Sequence, residues 1–250
     1  MRKNDILAYD ELCGLFYDAT EKYASEQEVD FFASCIEKNP GRVLEAMSGS
    51  GRLQIPLIRR GYVVDGVDIS DAMLARCRQR CAEFGLTPEL YEQPLEKMAL
   101  PHRYSTVIIA VGSLQLITDR NLVLQALKNI KAHMLPGGYL FIDIFVPDKT
   151  LDEHAVLIAR LDEQTIIRLT KRHVFNMQQR LASTFCLYEL IVGGIVTKQE
   201  NALIEVVWRS DEQWQELLSE AGFEMLHVYD QKFKQFETSR VIHARAIVKQ

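Results

Sequence analysis

The chain has 250 residues, of which 48% are hydrophobic and 25% charged, so it can bury a sizeable core and belongs among ordinary globular proteins. Its formal net charge of −5 argues against a broad phosphate-binding surface, because nucleic-acid-binding proteins usually carry a clustered basic face. The longest apolar stretch, residues 106–117, is too short to span a bilayer, and acidic residues interrupt the N-terminus where a signal peptide needs an apolar core. We therefore expect a cytoplasmic protein that binds neither nucleic acid nor membranes.

The first two thirds of the chain predict a helical cover followed by an α/β core. Residues 5–38 read as helical, and residues 40–146 alternate short apolar runs with helical periodicity, which indicates βαβ units in a parallel sheet. The predicted strands are Arg42–Ala46, Val63–Asp68, Glu89–Glu92, Thr106–Val111 and Gly138–Phe145. The predicted helices between them include Asp71–Phe84 with Ser70 as N-cap and Asp119–Leu135.

The last third of the chain predicts an insertion and a return to the core. Residues 163–208 are rich in β-branched and aromatic residues, and the pair Gly193-Gly194 suits a tight hairpin turn, so we expect antiparallel strands there. Residues 209–250 predict a helix, Asp211–Ala221, and two closing strands. No linker of distinct composition divides the chain, which favours a single domain over residues 1–250.

The five cysteines do not predict a metal site or a disulfide framework. Their number is odd, they are widely spaced, and none belongs to a CxxC pair or a Cys–His spacing typical of zinc ligands. Cys77 and Cys81 lie four residues apart on one predicted helix face, so we expect them to be reduced core residues.

The most informative segment is the stretch VLEAMSGSGR at residues 43–52. It predicts a strand that contains Glu45 and a turn with Gly49 and Gly51, where the backbone needs unusual dihedrals and close approach to a nucleotide. Asp68 ends the second predicted strand, beside the first, and a carboxylate there can accept hydrogen bonds from both hydroxyls of a ribose. The pattern predicts an adenosine-containing cofactor.

Details of the turn favour one cofactor over another. A dinucleotide fingerprint GxGxxG read from Gly49 places Gln54 where the third small residue belongs, which disfavours a nicotinamide-dependent oxidoreductase. Glu45, at the base of the turn, can order the loop around a positively charged methionine moiety. The segment therefore favours a sulfonium cofactor over a diphosphate.

Residues 42–145 resemble the class I S-adenosylmethionine-dependent methyltransferases, especially the bacterial small-molecule branch whose first motif reads E-x-M-C-G-S-G-R. The resemblance rests on LEAMSGSGRLQIPLIRRGYVVDGVDIS, on IKAHMLPGGYLFIDIF and on the terminal WRSDEQWQELLSEAGFE. It implies a Rossmann-like methyltransferase fold, with a seven-stranded, mostly parallel sheet, helices on both faces, and an antiparallel β insertion after the fifth strand. It also implies S-adenosylmethionine as cofactor and S-adenosylhomocysteine as product.

The resemblance carries roles over to individual positions. Glu45 and the two loop glycines would line the methionine side, Asp68 would bind the ribose, and Ile69 and Met73 would flank the adenine. Pro94 stands where the family often has an adenine-binding Asp, so its neighbours Gln93 and Leu95 would substitute. The predicted cofactor-binding residues are Glu45, Met47, Gly49, Gly51, Asp68, Ile69, Met73, Gln93, Leu95, Ala110 and Val111.

The acceptor side is predicted from position alone. The insertion leaves the core just after the fifth strand, at the carboxyl edge where ligands bind in open parallel sheets, so we expect it to cover the acceptor; the alternative is a dimer interface. The candidate acceptor-side residues are Tyr17, Ser113, Phe145, Arg168, Arg172 and Tyr188. We assign no catalytic residue, because in-line methyl transfer needs alignment more than a dedicated base. The expected partner is a small-molecule acceptor, and the chain is expected to be a monomer or homodimer. A non-catalytic S-adenosylmethionine-binding sensor remains the alternative function.

Overall fold

The computed structural model describes residues 11–146, 154–231, 233 and 239–248. The helices of these ranges are α1 (Glu11–Thr20), α2 (Glu26–Glu37), α3 (Gln54–Arg59), α4 (Asp71–Ala82), α5 (Arg120–Ala132) and α6 (Asp211–Ala221). The strands are β1 (Val43–Ala46), β2 (Val64–Asp68), β3 (Leu90–Glu92), β4 (Tyr104–Ile109), β5 (Met134–Ile144), β6 (His154–Arg160), β7 (Thr165–Asn176), β8 (Leu181–Val192), β9 (Ile195–Val207), β10 (Phe223–Asp230) and β11 (Arg240–Ala246). Within the described ranges, no helix combines the length and apolar character that a bilayer crossing requires.

The described residues divide into two compact units. The larger unit contains residues 23–146 together with those after residue 207, and the smaller unit contains residues 11–22 and 154–207. The smaller unit thus combines the first described helix with the inserted strands. Residues 5–10 of the predicted helical cover, and residues 147–153 ahead of β6, lie outside the described ranges.

The larger unit is built on a seven-stranded sheet with the order β10-β11-β5-β4-β1-β2-β3. Strand β11 pairs antiparallel with both of its neighbours, and the pairings from β5 to β3 are parallel. Every residue of β1 and β4 is buried, as expected for parallel strands that helices cover on both faces. The predicted seven-stranded, mostly parallel sheet is confirmed.

Local sequence signals set several helix ends. The Ser70 side chain accepts a hydrogen bond from the backbone N–H of Met73 and begins α4, as the sequence predicts. Ser210 and Gln213 form a capping box at the start of α6. Two predicted helix ends are wrong. Helix α4 ends at Ala82 rather than Phe84. Helix α5 ends at Ala132 rather than Leu135, because Met134 pairs with β4 and begins β5, which includes the Pro-Gly-Gly segment.

The smaller unit is a four-stranded antiparallel sheet with the order β6-β7-β8-β9, packed against α1. Strand β6 lies before the predicted insertion and was not expected from the sequence; it pairs along its whole length with β7. Both Gly193 and Gly194 have positive φ angles, 57° and 84°, which confirms the tight hairpin turn. The carboxylate of Glu200 on β9 accepts a hydrogen bond from the backbone N–H of Leu12, 2.8 Å away, at the start of α1.

Candidate active site

The carboxyl ends of β1, β2 and β4 lie side by side, because β1 pairs in parallel with both other strands. This edge brings together predicted cofactor-binding residues from three separate segments. Met47 follows β1 and Val111 lies two residues after β4, and both have a φ of 60°. A positive φ is strained for any residue with a side chain, and most of all for a β-branched one such as Val111. Such strain clusters at ligand sites, where the surrounding structure enforces it.

Asp68 holds the glycine loop in place. Its Oδ2 accepts a hydrogen bond from the backbone N–H of Gly49 at 2.8 Å, and its Oδ1 accepts one from the N–H of Ser70 at 2.9 Å. Burial raises the pKa of Asp68, although these backbone donors act in the opposite direction. A carboxylate offers about four lone-pair sites, so each oxygen keeps capacity for a further donor such as a ribose hydroxyl.

Glu45 is a buried carboxyl group, and its Oε2 accepts no hydrogen bond from any described residue. Burial raises the pKa of Glu45 to about 8; the nearby Arg52 opposes this shift, whereas Glu28 and Asp68 add to it. A buried acceptor without a donor is costly unless a ligand supplies one.

Two buried arginines, Arg52 and Arg80, stabilise the glycine loop from its core side. The sequence analysis did not assign them. Arg52 forms a bidentate ion pair with Glu28 of α2, in which Nη1 lies 2.9 Å from Oε2. Arg80 of α4 donates from Nη1 to the carbonyl and the hydroxyl oxygen of Ser50, each at 2.9 Å. The signal that could have found them is a basic residue within the glycine turn and another on the helix that follows Asp68.

Gly51 faces the core beneath the loop. A Cβ atom at this position would lie 2.6 Å from Sγ of Cys77 and 3.1 Å from the side chain of Ile55, and the backbone φ is 80°. A larger side chain would therefore collide with the α4 side of the loop. By contrast, a Cβ atom on Gly49 would meet Cε of Met73 at 3.3 Å, a contact that a flexible side chain relieves more easily.

Replacing Gly51 with Ala is therefore expected to lower the free energy of unfolding by about 2–4 kcal/mol, since it combines left-handed strain with overpacking. Denaturant unfolding of G51A measures this loss. Adding Cys77→Ala removes the closest atom, so G51A/C77A should be more stable than the sum of the two single changes predicts. Strict additivity would contradict the contact that we assign to Gly51.

The residues predicted to surround the adenine differ in exposure. Ile69 is 62% exposed, so its apolar side chain is available to a ligand at this edge. Met73 and Leu95 are buried, and Leu95 belongs to the main core. The side-chain oxygen of Gln93 accepts a hydrogen bond from the backbone N–H of Ala99 at 2.6 Å. The backbone N–H of Gln93 donates to the carbonyl oxygen of Asp68 at 2.9 Å, which connects this loop to β2.

The loop after β4 is fixed by side chains that reach it from β5 and from its own short helical turn. The N–H of Val111 donates to Oδ2 of Asp143 on β5 at 2.8 Å. The hydroxyl of Ser113 donates to the carbonyl oxygen of Ala110 at 2.7 Å. Gln115, which the sequence analysis missed, exchanges two hydrogen bonds with the backbone of Phe145, at 2.8 and 2.9 Å. The predicted residues Ala110, Val111, Ser113 and Phe145 thus lie together.

The other candidate acceptor-side residues belong to the smaller unit. Arg168 donates from Nε to Oε2 of Glu189, its cross-strand neighbour on β8, at 2.7 Å. Arg172 lies four residues further along β7 and is exposed. Tyr188 is buried on the opposite face of the sheet, with its ring edge-on to Phe16 of α1. Tyr17 is half-buried on the same helix. Tyr188 and the two arginines therefore lie on opposite faces of the four-stranded sheet.

Three possible metal ligands, Asp65, Glu89 and His102, lie close together in the larger unit. Arg42 donates to both carboxylates, and the hydroxyl of Tyr104 donates to Asp65 at 3.0 Å. Arg42 thus pairs with both carboxylates, so we treat the group as a structural ion-pair network. The five cysteines are buried and form no disulfide bond, and Cys77 and Cys81 pack in a small core cluster, as predicted.

Comparisons with known sequences agree with this geometry. The family model described as a methyltransferase domain matches residues 43–138. YqeM of Bacillus subtilis, a protein named as a methyltransferase, is 29% identical over 45% of this chain, and the match covers 44% of YqeM. GWCH70_2453 of Geobacillus, also named as a methyltransferase, is 21% identical over 83% of this chain and 87% of its own length.

Solved structures share the fold of the chain. The sugar N-methyltransferase KedS8 from Streptoalloteichus superposes with a TM-score of 0.80 at 17% identity, over 99% of this chain and 97% of KedS8. CalS10 from Micromonospora echinaspora, an amino pentose methyltransferase solved with its cofactor bound, superposes with a TM-score of 0.71 at 18% identity, over 95% of this chain and 97% of CalS10. The fold is thus that of class I methyltransferases.

The fold, the glycine loop and the family match define the class of protein together. Residues 43–138 match the methyltransferase domain family, and the chain has the fold of class I S-adenosylmethionine-dependent methyltransferases. The oxidoreductase alternative loses its basis with this assignment.

Proposed function

We propose that the chain transfers the methyl group of S-adenosylmethionine to a small-molecule acceptor by in-line displacement, at the carboxyl edge of the larger unit. The observation that carries this proposal is the pairing of a buried, unsatisfied Glu45 with a glycine loop clamped by Asp68. The carboxyl at the base of the loop fits an ammonium group, and the clamp fits a ribose. Both groups belong to S-adenosylmethionine.

The residues have separate tasks in this reaction. Glu45 holds the ammonium of the methionine moiety, Asp68 accepts the ribose hydroxyls, and Ile69 covers the adenine. The cofactor supplies an electrophilic methyl group, so the protein needs to align the acceptor and exclude water rather than provide a strong base. The strained loop after β4, held by Asp143 through Val111, is the part of this edge that is built to position the acceptor.

The acceptor is proposed by its chemistry. KedS8 is a sugar N-methyltransferase and CalS10 is an amino pentose methyltransferase, so amino sugars are the first acceptors to test. A free amine attacks a sulfonium methyl without a dedicated base once it is unprotonated, which agrees with the absence of an assigned catalytic residue.

The proposal is tested by measuring S-adenosylhomocysteine formation from labelled S-adenosylmethionine with a panel of amino sugars and other small amines. We expect at least one acceptor to raise product formation above the acceptor-free rate, and Asp68→Asn to remove this increase. Exposed Glu163 in the smaller unit provides a control, since Glu163→Gln removes one carboxylate far from the loop in sequence. Tight cofactor binding without turnover on any small molecule would instead favour a sensor.

A further inference from the structure

The first turn of α6 lies at the carboxyl edge of the larger unit. Arg240 begins β11 and stands opposite Ile144, the last residue of β5. Its guanidinium binds both carboxylate oxygens of Asp211, the first residue of α6, at 2.8 and 2.9 Å. The N-terminus of α6 is therefore anchored at the same edge of the sheet as the loops that follow β1 and β4.

Arg209, immediately before the N-cap of α6, is a buried cation with an unsatisfied donor. It is 7% exposed, and its Nη1 donates no hydrogen bond within the described part of the chain. Its guanidinium lies over the ring of Trp214, with Cζ 5.2 Å from the ring centroid. The indole Nε1 of Trp214 is also buried and also without an acceptor among the described residues. Each of these two stacked side chains thus has a buried donor without an acceptor among the described residues.

The charges around Arg209 do not neutralise it. Burial lowers the pKa of Arg209, and the nearby Arg120 adds to this effect. Arg120 itself pairs with Glu216 and Glu220 of α6, and Asp211 is occupied by Arg240. The ion pairs of Asp211, Glu216 and Glu220 are therefore made with arginines other than Arg209.

The missing element in this arrangement is a negatively charged acceptor. Arginine and tryptophan side chains have donors and no acceptor, and leaving such donors buried without a partner costs free energy. A phosphate or carboxylate group can accept from both side chains, and arginine binds either group in a planar, bidentate way.

We propose that Arg209, together with Nε1 of Trp214, forms a binding site for the phosphate or carboxylate group of a small molecule. The site is separate from Glu45 and Asp68. Its position at the carboxyl edge favours an anionic group on the methyl acceptor as its ligand, and this last step rests on the proposed function.

The test is thermal unfolding in sodium phosphate, in sodium acetate and in sodium chloride at matched ionic strength. We compare wild type with Arg209→Met and with the control Arg245→Met. Arg245 is a suitable control because it is an exposed arginine of β11 that pairs with Glu224 of β10. Phosphate also stabilises proteins by exclusion from their surface, so the readout is the difference between variants. At ten times its dissociation constant, bound phosphate should raise the Tm of wild type and R245M by about 3–5 °C more than that of R209M. A larger response to acetate than to phosphate would identify the ligand group as a carboxylate.

Without added anion, R209M should unfold within about 2 °C of wild type or above it, because a buried charge without a partner is replaced by an apolar chain of similar length. Trp214→Phe keeps the ring and removes only the donor, so it should reduce the phosphate response and serves if R209M folds poorly. Equal responses to both anions in wild type, R209M and W214F would overturn the site. The Tm shift caused by S-adenosylhomocysteine is measured in parallel. If S-adenosylhomocysteine does not raise the Tm of wild type, the result counts against the proposed function and not against the anion site.

Discussion

Replacing Glu45 with Gln is expected to weaken the binding of S-adenosylhomocysteine at least ten-fold, while the ligand-free protein keeps its stability. The loss follows from removing a charge-assisted hydrogen bond, worth about 1.5–3 kcal/mol, between the carboxylate and the ammonium of the ligand. Stability is kept because Oε2 has no donor among the described residues, so the amide removes no bond made by that oxygen. Calorimetric titration measures the affinity, and Glu163→Gln is the control that should bind like wild type.

The same residue predicts a pH dependence of stability. The pKa of Glu45 is raised from an ordinary value of 4.5 to about 8 in the folded protein. Its contribution to folding is therefore fully present below about pH 4.5 and is lost as the pH rises through about 8. Glutamine does not titrate, so the stability of E45Q relative to wild type should increase between pH 5 and pH 9. Denaturant unfolding at both values measures this, and a relative decrease would contradict the raised pKa.

Asp68→Ala is expected to reduce the affinity for S-adenosylhomocysteine about a hundred-fold or more. The change removes the acceptor of the ribose hydroxyls and also releases the N–H groups of Gly49 and Ser70, so the loop loses its clamp. Each charge-assisted hydrogen bond contributes about 1.5–3 kcal/mol. Calorimetry gives the affinity, and circular dichroism verifies that the fold is kept.

An intermediate variant separates the two tasks of Asp68. Asp68→Asn keeps one acceptor oxygen and places an amide donor against one of the loop N–H groups. Its affinity should therefore lie between those of wild type and D68A. Wild-type affinity in D68A would remove Asp68 from the cofactor site.

The features that the sequence predicts are those determined by residues close together in the chain. The glycine turn, the acidic end of β2 and the cap at Ser70 each have a local chemical cause, so the strand–turn–helix order and the cofactor class follow from them. The positions of Glu45 and Asp68 follow as well, because neighbouring parallel strands end at one edge of a sheet.

The rest depends on contacts between distant segments. The ion pair of Arg52 with Glu28 and the hydrogen bond from Val111 to Asp143 join residues that no local pattern connects. The orientation of Gly51 towards Cys77 needs the packing of α4, which periodicity does not supply. Strand β6 was missed because its pairing with β7, rather than its own short sequence, makes it a strand.

The most direct test of the central claim is calorimetric titration of the wild-type protein with S-adenosylhomocysteine at pH 7 in two buffers of different ionisation enthalpy. We expect binding with a heat that differs between the buffers, because Glu45, with a pKa of about 8, releases a proton when it pairs with the ligand's ammonium. E45Q should show no such difference, and NAD should not bind. Tight binding of NAD, or equal affinity and equal proton release in wild type and E45Q, would contradict the assignment of this edge as the S-adenosylmethionine site.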